Sequence, residues 1–94
     1  MRALLLTPVA VLAAGCGSLS EGQAERAHAS RIQEAVSAYE TARRGGDILD
    51  MCVKAKLTAI AYEDAKQSAN HLAWKARESE DCRAAYAAMA PAAE

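Results

Sequence analysis

Cys52 and Cys82 stand thirty residues apart, and the midpoint between them is residue 67. That midpoint falls inside the polar run Lys66-Gln67-Ser68-Ala69-Asn70. Ser68 and Asn70 compete with a helical backbone for its hydrogen bonds, and either suits the start of a new helix. A disulfide requires Cα atoms roughly 4.4–6.8 Å apart. An antiparallel helical hairpin turning at Gln67-Ser68 meets that requirement. It sets Ala55 level with Ser79, Ala59 with Lys75 and Tyr62 with Leu72, and most of these partners are small enough for close backbones. The alternative is one continuous helix over residues 48–89, because the polar run contains neither Gly nor Pro. Such a helix would hold the cysteines about 45 Å apart at 1.5 Å per residue and allow only an intermolecular bond.

Helical punctuation is clear elsewhere. Between Glu21 and Arg44 there is no proline, and Ile32, Ala35, Val36, Tyr39 and Ala42 recur at spacings of three and four, which places them on one helix face. Ser18…Glu21 and Ser20…Gln23 are overlapping capping boxes at its start. Arg43-Arg44 suits the negative end of the helix dipole, and Gly45-Gly46 supplies a left-handed stop. Asp47 then reads as the N-cap of a second helix, with Asp50 in its first turn. That helix carries two apolar stripes, one of Leu49, Val53, Leu57 and Ile60, the other of Cys52, Ala55, Ala59 and Tyr62. Two apolar faces imply two neighbours. The expectation is an all-α fold: a small antiparallel bundle of about three helices containing a disulfide-stapled hairpin.

The first residues have a different character. Met1-Arg2 is followed by an apolar stretch from Ala3 to Ala14 and then Gly15-Cys16. One positive charge, a short apolar run and small residues before a cut site make up a secretory signal. The run is well short of the ~20 residues that cross a bilayer as a helix. Its end, Leu12-Ala13-Ala14-Gly15-Cys16, resembles the lipobox of bacterial lipoprotein precursors, although Ala13 stands where a larger aliphatic residue is commoner. The resemblance covers only the leader. It implies removal of residues 1–15, diacylglycerol on the Cys16 sulfur, and stable anchoring once further acyl chains are added. Gly17 rather than Asp after the lipidated cysteine favours the outer membrane under the enterobacterial sorting rule, facing the periplasm. Residues 16–20 would be a lipidated tether, 21–90 a helical domain and 91–94 a tail. With Cys16 lipidated, Cys52 and Cys82 remain as an even pair in an oxidising compartment.

The rest of the sequence narrows function mainly by exclusion. Losing Arg2 with the leader leaves ten basic against twelve acidic side chains, which gives no electrostatic footprint for nucleic acid. The chain is 52% hydrophobic, but it has no phenylalanine and only 4% aromatic residues. An alanine-rich core stabilises weakly per residue, so a staple matters in a chain this short. His28 and His71 have no ligand-like spacing to a cysteine or an acid, so no metal and no cofactor is expected. Glu78, Glu80 and Asp81 alternate with Lys75, Arg77 and Arg83, as on a solvated, self-compensating helix face. No nucleophile elbow or phosphate loop is present, and no catalytic residue is expected. Trp74 fits either a core plug or an exposed anchor for a partner, since tryptophan is enriched at interface hot spots.

Three functions fit these residues. The first is a non-enzymatic, membrane-tethered interaction or structural module that engages a larger envelope protein. A second follows from size, lipid anchor and a helical cysteine-bearing body, in which the chain is similar to small accessory lipoproteins of conjugation systems, including entry-exclusion proteins. A third is a redox protein using the Cys52 and Cys82 thiols, although redox work favours a closely spaced, exposed pair.

Overall fold

The computed structural model describes the backbone of residues 3–90 and the side chains of residues 21–90. Three helices account for it: α1 (Ala3–Gly45), α2 (Ile48–Asp64) and α3 (Ser68–Met89). The backbone of α1 is helical through residues 16–20. The capping serines Ser18 and Ser20, and Cys16 itself, lie outside the described side chains. Ile32, Ala35 and Val36 are half-buried and Tyr39 and Ala42 buried, so the predicted face is the one that meets the bundle. From Gln23 to Ala27 every side chain is exposed. The bundle proper begins near His28.

Both connections are Schellman motifs, in which a left-handed residue lets two N–H groups return to the last turn of the helix. At the end of α1 the left-handed residue is Gly46, at φ 72°. Its N–H donates to the Arg43 carbonyl at 3.1 Å, and that of Asp47 to Ala42 at 3.2 Å. Asp47 caps α2 as expected, its Oδ1 accepting from the Asp50 N–H at 3.0 Å. At the end of α2 the left-handed residue is Lys66, at φ 60°. Its N–H donates to Glu63 at 2.9 Å and that of Gln67 to Tyr62 at 3.0 Å. The chain therefore turns over residues 65–67, at the cysteine midpoint, and residues 48–89 form two helices. Neither Ser68 nor Asn70 caps α3. Gln67 is the N-cap and makes no side-chain cap bond, while Asn70 Nδ2 donates to Gln67 Oε1 at 2.9 Å.

Connections this short make sequential helices antiparallel neighbours. α2 packs against both α1 and α3, whereas among the described residues no Cα of α1 comes within 8 Å of one in α3. The two neighbours foreseen for α2 are present, but they do not take one stripe each. Both lie on the side of Cys52, Ala55, Thr58, Ala59 and Ala61, all buried. Leu49, Val53, Leu57 and Ile60 stay 42–49% exposed. Side-chain size explains the difference: only alanines, a threonine and the cystine let helices approach closely enough for the disulfide. Among the described residues seven hydrophobic side chains are buried, and five of them are alanine, at positions 42, 55, 59, 61 and 85.

Candidate functional site

The two cysteines singled out by spacing are joined. The S–S distance between Cys52 and Cys82 is 1.98 Å and their Cα atoms are 4.6 Å apart, near the close end of the range for a disulfide. Cys52 is buried and Cys82 half-buried. The surrounding side chains on α3 are Glu78, Ser79, Arg83 and Tyr86, which with Cys82 line a wide, open surface depression of about 450 Å³. The Lys75 ammonium is 3.1 Å from Glu78 Oε1, an ion-pair contact without hydrogen-bond alignment.

A second cluster joins the two helices whose backbones stay apart. Tyr39, only 3% exposed, reaches from α1 across to α3, and its hydroxyl donates to Asp81 Oδ2 at 2.7 Å. Burial, followed by the hydrogen bond to Asp81 and that carboxylate's charge, holds the Tyr39 pKa above its ordinary value near 10. The cations Arg77 and Arg43 partly oppose the shift. Trp74 meets the Tyr39 ring edge-on, with centroids 5.0 Å apart. The Arg77 guanidinium lies 4.9 Å from the Trp74 centroid and 5.4 Å from that of Tyr39, within reach of cation–π attraction. Trp74 is half-buried against Tyr39, where it is a bridge between α1 and α3.

His71 and His28 stay separate. His71 Nδ1 is 2.8 Å from the Ala59 carbonyl; a carbonyl oxygen only accepts, so Nδ1 carries the proton and donates. That bond ties the first turn of α3 to the middle of α2. His28 Nδ1 is buried with no hydrogen-bond partner. Among the described residues no three His, Cys, Asp or Glu side chains gather where they could hold a metal ion, and no helix is long and apolar enough to cross a membrane. Thr58, fully buried, donates its hydroxyl to the Lys54 carbonyl at 2.8 Å, so its one polar group is satisfied within its own helix.

Sequence reasoning missed Tyr39, Arg77 and Asp81 as a unit. Their joint signal was available: Trp74, Arg77 and Asp81 follow one another at spacings of three and four, one ridge of α3. Nothing in the sequence says which residue of α1 that ridge meets. No known protein family, curated protein or solved structure matches the chain.

Proposed function

We propose that this chain is a small envelope lipoprotein, cut before Cys16 and lipidated on it, whose helical bundle acts as a membrane-tethered interaction or structural module. The observation that carries this reading is Ala14-Gly15-Cys16 closing an uncharged apolar run behind Arg2. The fold supports it in two ways. With α1 helical through position 16, the twelve residues from Cys16 to Ala27 form a stalk of about 18 Å at 1.5 Å per residue, which sets the bundle off from its anchor. The polar groups with the most elaborate geometry, Tyr39, Arg77 and Asp81, are engaged in joining α1 to α3, while large aliphatic side chains face outward on α2. A surface of that kind marks a site of interaction.

The test is metabolic labelling with palmitate. The wild-type chain should take up label and the Cys16→Ser variant none, with the variant accumulating as uncut precursor or as an unlabelled secreted form. Equal labelling of the two would refute the lipid anchor.

A further inference from the structure

A thiolate opens a disulfide by attacking one sulfur and displacing the other, with the three sulfur atoms in line. The attacking group must therefore reach its target from the side away from the departing sulfur. The two sulfurs of the Cys52–Cys82 bond differ in that respect. Cys52 is 7% exposed and shares the inner side of α2 with the buried Ala55 and Ala59. A group arriving behind it would have to pass through α2 or its packed inner face. Cys82 is half-buried and forms part of the wall of the depression lined by Glu78, Ser79, Arg83 and Tyr86. All five lining residues belong to α3, so the depression opens on the α3 side of the bond, away from Cys52. It is wide enough for a small thiol and open enough for a larger one.

Charge in the depression suits an anionic nucleophile. Glu78 is countered by Lys75, whose ammonium is 3.1 Å from its Oε1. Arg83 is exposed and forms no ion pair among the described residues. The lining is left with one uncompensated charge, a positive one, next to the sulfur where a thiolate arrives. One factor runs the other way. A departing thiolate is better solvated at Cys82 than inside the bundle, which taken alone favours attack on Cys52. Access outweighs it, because solvation of the leaving group only scales a rate, whereas a packed helix face closes the line of approach.

We propose that Cys82 is a thiol-exchange site, at which a thiol, free or as half of a dithiol, enters this depression and opens the Cys52–Cys82 bond through a mixed disulfide on Cys82. The electron pair of the incoming thiolate makes the new S–S bond to Cys82 Sγ. The pair of the old bond leaves on Cys52 Sγ, which takes a proton from water. A second thiol then attacks the incoming sulfur of the mixed disulfide, and Cys82 departs as a thiolate. Two reagent thiols become one disulfide, and the cystine becomes two cysteines. In reverse, a disulfide reagent is attacked first by Cys82, and Cys52 closes the bond from its buried position. The bond stays a structural staple, made and unmade from one side. None of this depends on lipid at Cys16.

The folded full chain carrying Cys16→Ser confines exchange to the pair and tests the site. Reduced glutathione is added, the reaction is stopped at early times with N-ethylmaleimide, and the products are mapped by tryptic mass spectrometry. Trypsin separates the two cysteines onto peptides 45–54 and 78–83. Glutathione should be found on Cys82 and maleimide on Cys52, in about tenfold excess over the reverse pattern. In urea, where both sulfurs are open, the preference should disappear. Arg83→Gln should slow glutathione about threefold at low salt, the effect of one charge ~6 Å away in water. Cysteamine, whose ammonium offsets its thiolate, should slow less, and added salt should erase the difference. Glutathione on Cys52, or on both sulfurs alike in the folded chain, overturns the proposal. So does an opening rate that follows global unfolding across denaturant, because the bond would then be reached only in the unfolded chain. An Arg83→Gln variant as fast with glutathione as the unaltered chain overturns the part played by charge.

Discussion

Lys66 holds a backbone conformation, φ 60°, that costs a residue with a side chain roughly 1–2 kcal/mol. Glycine adopts it freely but loses more entropy on folding, which offsets part of the gain. Lys66→Gly should therefore stabilise the domain by about 0.5–1 kcal/mol, seen as a melting temperature higher by about 3–6 °C. Gly46, at φ 72° with open space around it, gives the converse: Gly46→Ala should destabilise by about 1 kcal/mol through backbone strain alone. Tyr39 raises a different residue-level question. Its pKa lies above the ordinary value near 10 because of burial and Asp81. The folded state therefore keeps the phenol proton to a higher pH than the unfolded chain does. The stability linked to that proton is fully present below about pH 10 and is lost as pH rises through the folded pKa. Chemical denaturation in steps from pH 8 to 11 should show this alkaline decline. Tyr39→Phe should be about 1–2 kcal/mol less stable at pH 8, and its curve should flatten above pH 10. A variant that kept the wild-type slope would assign the alkaline titration to another group.

At the scale of the elements, α2 inverts the usual arrangement, with its smallest side chains inside and its largest outside. Ala55 and Ala59 are 0% and 1% exposed, so a larger group there has no space without separating α2 from its neighbours. Ala59→Leu should destabilise by about 1–3 kcal/mol through overpacking. Leu57→Ala, at a position 49% exposed, should change monomer stability by less than about 1 kcal/mol. Thermal melts of the two variants at low concentration compare them directly, and the opposite ranking would mean that α2 is rotated about its axis. Much of the element plan was legible in the sequence. Gly45-Gly46-Asp47 marked the end of α1 and the cap of α2, and the cysteine midpoint placed the second turn. The cap of α3 was not legible. A Schellman motif built on Lys66 carries no glycine, and Gln67 ends α2 through its backbone N–H rather than starting α3 with its side chain. Nor was the exposure of Leu49, Val53, Leu57 and Ile60 legible, since hydrophobic periodicity reports which residues share a face and not which of two faces the bundle covers. The Tyr39–Asp81 contact spans 42 residues and depends on how α1 and α3 flank α2, which local pattern does not encode.

At the scale of the whole molecule, α2 is, among the described residues, the only helix whose backbone touches both others, and its inner face is mostly alanine. Close approach of small side chains forms many weak contacts but buries little area per residue. A domain of seventy residues, 21–90, has a net stability of about 3.5–10 kcal/mol at the usual 0.05–0.15 kcal/mol per residue. Closing a thirty-residue loop contributes about 3.5 kcal/mol in the chain-entropy description, a third or more of that total. The bond also acts beyond its own helices. The Tyr39–Trp74–Arg77–Asp81 cluster needs α3 held at a fixed height on α2, so releasing the bond loosens the attachment of α1 as well. Cys52→Ser and Cys82→Ser should each lower stability by about 3 kcal/mol, and the double variant should be no worse than either single. Once one partner is gone the bridge is absent, and the second change removes only local packing. Circular dichroism melts of the three variants decide the point. Intact mass supplies the check on pairing, because an intramolecular bridge leaves the oxidised monomer ~2 Da lighter than the reduced one. A disulfide-linked dimer through these positions would contradict the pairing within one chain. Additive losses in the double variant would show that each sulfur acts through its own packing, leaving alanine contacts and the Tyr39 cluster to carry the fold.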